Sequence, residues 1–525
     1  MNKNMTSRLI QTLDTTLRDG AQGEGVSFSV SDKLQIVRAL DAFGVSCIEA
    51  GMPGSNPKDE EFFHKAAALP LRNARLCAFG RTARPGVLPQ EDAEIAALLS
   101  ANTPTVAIFG KACAAQATEV LGISPEENLT LVRESVSCLC AQGRELFFDA
   151  EHFFDGYAQN ADYALAVLRE AANAGAAALV LCDTNGAALP QMVGEVTSTV
   201  CAAFPDIAVA IHCHNDMGCA TANSLLAVAA GASQVQGTLT GLGERCGNAD
   251  LSQILPALQL KCGYETAVQM EQLSAVCRKI AEITNTRIER SRPYIGASAF
   301  AHKGGMHIDA MRKQEGSFEH IAPEAVGNRR RFLISEVTGR SGVLQKLHSL
   351  YPLLEKDSDQ TAQILTKLKE LEHAGYQFEA ADASFELMVR RTLGDFTPHF
   401  DLVLYKTIGE YPVSPGAAPA SATIQLAVDG QSETTAALGS GPVNALDLAL
   451  RKALTVFYPE IGQIRLTDYK VRVLDQDSAT AAKVRVLIET RDASSSWVTI
   501  GVSDDIIRAS LLALVDSMEY KLHMK

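Results

Sequence analysis

Thr15-Thr16-Leu17-Arg18-Asp19-Gly20-Ala21-Gln22 closes an apolar, strand-like run that starts at residue 9. A second run ends on His212-Cys213-His214-Asn215-Asp216. Side chains two apart on a strand point to the same face. His212 and His214 are therefore predicted to aim at one point, with Cys213 turned away and unfit as a ligand. Asp19 can add a carboxylate to the two imidazoles, a donor set suited to a divalent metal such as Mn²⁺, Mg²⁺, Zn²⁺ or Co²⁺. Taken singly, each of the three reads as a helix cap or a core histidine. Together, at two strand ends, they read as a metal site. Asn248, in Gly243-Glu244-Arg245-Cys246-Gly247-Asn248, is a further candidate ligand through its amide oxygen, or else a turn residue.

The pattern around these runs is regular. Over the first 260 residues or so, eight strand-like stretches (9–16, 45–51, 75–80, 105–110, 145–151, 178–184, 209–214 and 234–240) alternate with helical ones. One helix is predicted from residue 31 to 43, with Leu34, Val37 and Leu40 on one face. Another starts at Ser124, where Pro125 takes the first helical position and Glu127 completes a capping box. Eight such units predict a (β/α)8 TIM barrel, with a doubly wound open sheet as the competing arrangement. In a barrel, chemistry gathers at the C-terminal ends of the strands. Arg18, Asp19, Glu151, Asp183, Thr184, His212, His214 and Asn248 all fall at or just beyond those ends.

Each of the remaining candidates has a plain alternative. Arg18 can steady a developing oxyanion, or pair with Asp14 or another acid. Glu151, in Phe148-Asp149-Ala150-Glu151-His152, can act as a base or hold another ligand. The Thr184 hydroxyl can meet a substrate carboxylate or cap a helix. Taken alone, His307 reads as a loop residue and Arg329-Arg330-Arg331 as a solvated basic face.

The domains are predicted at 1–286 for the barrel, 287–375 for a helical linker subdomain and 376–525 for an α+β domain. The linker carries Ala301-His302-Lys303-Gly304-Gly305-Met306-His307 and a polar amphipathic helix over 355–371. In the last region, 384–391 and 402–405 read as strands, 412–420 as a flexible loop, and 422–454 and 483–514 as two ββα units, the second turning at Gly501.

Bulk properties narrow the class. A formal net charge of −14 over 525 residues argues against nucleic-acid binding. The 12 cysteines form no CxxC pair and fit free thiols in a reducing cytoplasm. No stretch has the length of an apolar span, so no membrane segment is expected.

Three motifs carry a resemblance: Asp14-Thr-Thr-Leu-Arg-Asp-Gly20, His212-Cys-His-Asn-Asp216 and Gly241-Leu-Gly-Glu-Arg-Cys-Gly-Asn248. They resemble the metallolyase barrel family that contains 2-isopropylmalate, homocitrate and citramalate synthases, over nearly the whole chain. Gly441-Pro-Val-Asn-Ala-Leu446 looks like part of that family's allosteric regulatory domain. Glu24-Gly-Val-Ser-Phe28, Pro53-Gly-Ser-Asn-Pro-Lys58, the stretch from Phe148 to Tyr157 and the stretch from Ala301 to His307 resemble the longer citramalate synthase type. The resemblance implies metal binding by Asp19, His212 and His214 with Asn248 nearby. It implies substrate contacts from Arg18, Gln22 and Thr184, and catalytic roles for Arg18, Glu151 and a linker His307 often lent to a partner's barrel. The implied reaction is condensation of acetyl-CoA with pyruvate to (R)-citramalate, a step toward isoleucine. Alternatives are a 2-isopropylmalate synthase using 2-oxoisovalerate and a lyase cleaving an acyl-CoA. A homodimer and an effector such as isoleucine or leucine are also implied. Two departures stand out. Ala21 replaces a frequent Glu, which weakens a homocitrate reading, and Phe318 stands near the place of a frequent Tyr.

Overall fold

Parallel strands covered on both faces must be apolar along their length, because neither face meets water. Five short runs have apolar centres, and three more, around residues 11–14, 47–49 and 234–237, mix apolar and polar residues. In the computed structural model they form β1 (Gln11–Asp14), β2 (Cys47–Glu49), β3 (Arg75–Arg81), β4 (Thr105–Lys111), β5 (Glu145–Glu151), β6 (Ala178–Asp183), β7 (Ala208–Cys213) and β8 (Gln234–Gly237). They close in sequence order, with β8 pairing β1 in parallel. The closed barrel excludes the open sheet. The structure describes residues 8–333, 347, 350–411, 418–474, 482–492 and 495–524, without the side chains of 305, 308 and 312.

Two packed layers hold the barrel. Leu13, Cys47, Cys77, Phe147, Val180 and Ala210 fill its interior. Ile36, Leu40, Ile48, Leu98, Val132 and Leu181 lie among the larger cluster that joins the strands to the outer helices. Helix starts follow from local hydrogen bonding. Val30–Phe43 begins one residue earlier than the periodicity predicts, because Ser29 and Asp32 form a reciprocal capping box. Ser124 and Glu127 do the same for Pro125–Ala141.

β8 ends at Gly237, short of the predicted residue 240. Thr238 pairs instead with Asp250, and the Leu239 amide donates to Asp14 Oδ2 at 3.3 Å. The chain there leaves the sheet, with Thr240 at φ 68°. Burial pushes the Asp14 carboxyl up to about 6, against hydrogen bonds from Thr16 and Leu239 that pull it down.

The chain divides into two compact units. One runs to Phe300 and includes Glu319–Arg330. The other holds Ala301–Phe318 and the chain from Arg331 on. The second unit opens with a two-strand parallel pair, β9 (Ala301–His302) and β10 (Arg331–Phe332), and the helix Gly305–Lys313. The predicted amphipathic helix forms as Asp359–His373.

The stretch 384–391 is helical, not a strand. It lies within Asp382–Leu393. Phe385, Met388 and Val389 recur at helical spacing and pack with Ile364, Leu368 and Phe378. Phe385, Leu387 and Val389 alternate as in a strand, but Met388 is buried with them, which only the helix allows.

Two matching blocks follow: β11 (Asp401–Gly409), β12 (Ala420–Val428), β13 (Gln431–Gly439) and helix Pro442–Thr455, then β14 (Arg465–Val473), β15 (Val484–Arg491), β16 (Ser496–Ser503) and helix Ile506–His523. Each predicted ββα unit thus gains a leading strand. β11 contains the predicted strand 402–405, whereas β14 is mostly exposed and lacks the buried face that would mark it in sequence. Gly501 makes no turn. It lies inside β16, where a Cβ would sit 2.0 Å from the Ala509 carbonyl of the crossing helix. Glycine permits that close approach. Of the predicted loop at 412–420, residues 412–417 lie outside the described residues. No helix among the described residues is long and apolar enough to cross a membrane.

Candidate active site

At the C-terminal mouth of the barrel the strand ends converge on a cavity of about 310 Å³. Asp19 follows β1, and His212 ends β7 with His214 just beyond it. Donor atoms of the three lie within 4.8 Å of one another, all buried. His212 Nε2 is 3.3 Å from Asp19 Oδ2 and His214 Nε2 is 3.9 Å from the same atom. Cys213 points into the apolar layer, as the strand alternation requires. Gln236 Oε1 meets His212 Nδ1 at 3.2 Å and so fixes that ring.

Asn248 reaches the cluster through backbone pairing. It forms an antiparallel bridge with His214, and the Ala249 amide donates to the Cys213 carbonyl at 2.8 Å. Its Nδ2 donates to the Leu242 carbonyl at 3.2 Å, which leaves Oδ1 buried without a hydrogen-bond partner. Asp19 Oδ1 and His214 Nδ1 are also buried and unpartnered. Buried polar atoms are normally satisfied. Three orphaned acceptors of ligand type on neighbouring residues fit a divalent cation.

Glycines make this approach possible. Gly243 has φ 156°, and a Cβ there would stand 2.1 Å from Asn248 Nδ2. Gly243→Ala is therefore expected to displace Asn248 and weaken metal affinity about 10- to 100-fold, the scale of supporting contacts around a metal. Metal titration by calorimetry checks this, and wild-type affinity would remove Asn248 from the site.

Arg18 stands beside Asp19 with Nη1 3.1 Å from Asp19 Oδ2, and its Nε donates to Glu49 Oε2 at 2.6 Å. The guanidinium lies 3.6 Å over the Phe79 ring. Arg18 is thus paired, though with Glu49 and Asp19 rather than Asp14, and it still lines the cavity. Burial opposes its charge, but Glu49 and Asp19 outweigh burial and hold the group cationic. The same balance runs the other way for Asp19. Burial pushes its carboxyl up, but Arg18, His212 and His214 hold it well below the usual carboxylate range. Burial and the neighbouring His212 push His214 down to about 4, the neutral form a metal needs.

Gln22, Glu151 and Thr184 line the same cavity. Glu151 is ion-paired with Lys111. Thr184 accepts from the His152 amide at 2.8 Å and caps no helix, so its own proton is available to a ligand. Phe79 and Phe109 stack at 5.7 Å on the wall. His307 belongs to the second unit. It is exposed on the helix Gly305–Lys313, its ring stacked on Phe318 at 4.1 Å. Among the described residues, the basic run contributes an ion pair between Arg330 and Glu319 at 2.7 Å.

Three site residues escaped the sequence reading. Glu49 ends β2 and anchors Arg18. Asp149 shares a strand face with Glu151, and burial together with Glu49 raises its carboxyl to about 7. Gln236 orients His212. All three carry the same signal as Glu151, a polar residue in or near the end of a barrel strand, but none belongs to the motifs that single out the other site residues.

A closed barrel whose mouth gathers an Asp–His–His set able to hold a metal is the architecture of a barrel enzyme, and comparison with known proteins gives the family. The HMGL-like family profile matches residues 9–280, a homocitrate synthase post-HMGL domain-like profile matches 294–375, and a LeuA allosteric (dimerisation) domain profile matches 379–522. The chain is 48% identical to the (R)-citramalate synthase of Aquifex aeolicus, covering 97% of each chain. It is 46% identical to that of Geobacter sulfurreducens, covering 98% of each. A probable 2-isopropylmalate synthase of Methanopyrus kandleri is 32% identical over 96% of this chain and 97% of its own. The chain belongs to the (R)-citramalate synthase family.

Proposed function

We propose that this enzyme condenses acetyl-CoA with pyruvate, giving (R)-citramalate and CoA. One observation carries the reading: an Asp–His–His donor set beside a buried, anchored arginine, in a chain that follows (R)-citramalate synthases along its whole length. Asp19, His212, His214 and Asn248 would hold a divalent cation of the Mn²⁺, Mg²⁺, Zn²⁺ or Co²⁺ kind. Once bound, the ion supplies Lewis acidity toward the carbonyl and carboxylate oxygens of a 2-oxo acid.

The chain's own groups account for the rest. Thr184 Oγ1 donates its proton to the substrate carboxylate, and Gln22 offers its side-chain amide beside it. Arg18, held by Glu49, donates to the carbonyl oxygen and carries the negative charge that grows there as the new carbon–carbon bond forms. The proton lost by the acetyl methyl group passes to His307 or Glu151. The oxyanion is then protonated, and water cleaves the thioester to release the thiol. The Phe79–Phe109 wall beside the cavity suits a short acceptor side chain.

The reading extends to regulation. The region from residue 376 would pair in a homodimer and bind an amino-acid effector, isoleucine or leucine.

A thiol-release assay with pyruvate, 2-oxobutyrate, 2-oxoisovalerate and 2-oxoglutarate tests the substrate. Pyruvate should exceed 2-oxoisovalerate, whose side chain is two carbons larger, in kcat/KM by about 10-fold or more, since even one methylene in an apolar pocket is worth about that much. The reverse order would make the enzyme a 2-isopropylmalate synthase. Cleavage of a 3-hydroxy-3-methylacyl-CoA with no condensation would make it a lyase.

A further inference from the structure

A second cluster of metal-ligating side chains lies far along the sequence from the barrel motifs, inside the second unit. Glu519 and His523 are one turn apart on the helix Ile506–His523, so they share a face. His399 comes from the segment leading into β11. Donor atoms of the three lie within 4.8 Å of one another.

Part of this cluster is explained by hydrogen bonding alone. Glu519 accepts from the His399 amide at 3.0 Å and meets His399 Nδ1 at 2.9 Å. Tyr458 fixes the same segment by donating to the His399 carbonyl at 2.8 Å. These bonds tie the entry of the first βββα block to the end of the last helix. They leave His523 unexplained. Its Nε2 is buried and has no hydrogen-bond partner, yet it faces Glu519 Oε2 at 3.9 Å. That is too long for a hydrogen bond. It suits two ligands of one ion, whose donor atoms sit about 3 to 4 Å apart when each is about 2 Å from the metal. The His399 and His523 rings cross at 4.5 Å, and Phe396 covers His523 at 5.0 Å.

We propose that His399, Glu519 and His523 form a divalent-metal site of the zinc type in the C-terminal half of the chain. Two imidazoles and a carboxylate are borderline ligands, and a water would complete a tetrahedral set. The surrounding charge permits a cation. Arg390 is neutralised by Glu386 at 2.9 Å, and Arg391 by Asp516 at 2.7 Å. Burial and the neighbouring His399 push His523 down, toward the neutral ring that binds metal. Where His399 Nδ1 carries the proton that bridges to Glu519, metal binding at that nitrogen displaces the proton to solvent. The ion would staple the two βββα blocks at one end, so its occupancy would set how firmly the regulatory-type domain is closed. The site is independent of the barrel chemistry.

Zn²⁺ itself is the probe, on the full chain. Wild type, His212→Ala/His214→Ala, His523→Gln and the triple variant are loaded with Zn²⁺, gel-filtered and assayed for metal. The expected contents are two equivalents, one, one and none. In the His212→Ala/His214→Ala background, Zn²⁺ should raise the Tm, and adding His523→Gln should abolish that rise. Co²⁺ in the same background should give the intense visible bands of four-coordinate geometry. The proposal is overturned if His212→Ala/His214→Ala holds no Zn²⁺ and shows no Tm response. If the triple variant is misfolded by circular dichroism, the cobalt spectrum of the His212→Ala/His214→Ala protein decides. Absence of those bands overturns the site.

Discussion

His212→Ala/His214→Ala should leave a folded barrel with little condensing activity. Both rings project from the end of β7 toward the cavity, and the strand itself is held by its pairing to β6 and β8. Removing the rings therefore takes away donors rather than core. A bound metal ion contributes several kcal/mol of charge stabilisation, and each 1.4 kcal/mol is a factor of ten in rate. The expected loss in kcat is about 10³-fold or more, with the barrel's share of bound metal gone and the far-UV circular dichroism unchanged. Turnover within tenfold of wild type in metal-depleted variant protein would refute the proposed site.

The second large effect is at Arg18. Its Nε bonds Glu49 while Nη1 meets Asp19, a forked arrangement that lysine cannot reproduce with a single ammonium. Arg18→Lys should lower kcat by about 10²- to 10³-fold, the scale of an oxyanion donor. Metal content should stay at the wild-type level, since Asp19, His212 and His214 remain. This split separates a substrate role from a structural one. A metal loss equal to that of the double histidine variant would make Arg18 a support for Asp19. An unchanged kcat would remove it from the mechanism.

The barrel and its donor set were legible because they rest on short periods. Residues i and i+2 share a strand face, so His212 and His214 could be paired from the sequence alone. The three residues missed at the site, Glu49, Asp149 and Gln236, act through neighbours that are distant in sequence. Glu49 matters because Arg18 folds back onto it from another strand end. Asn248 was legible as a candidate, but its approach depends on the turn glycines and on backbone pairing with His214. Errors in the C-terminal half have a different cause. β14 is mostly exposed and shows no clean alternation. Asp382–Leu393 carries both a two-residue and a helical pattern, and only packing against Ile364 and Leu368 selects the helix. Gly501 looked like a turn because glycine marks turns and close backbone crossings alike.

The central claim is that one cation is held between β1 and β7. Crystals grown with Mn²⁺ and pyruvate test it directly through anomalous scattering. The account predicts a strong peak within about 2.0–2.3 Å of an Asp19 carboxylate oxygen and of one ring nitrogen each from His212 and His214. The Arg18 guanidinium should reach the pyruvate carbonyl oxygen beside it. A barrel mouth without that peak, or pyruvate bound away from Arg18, would contradict the account.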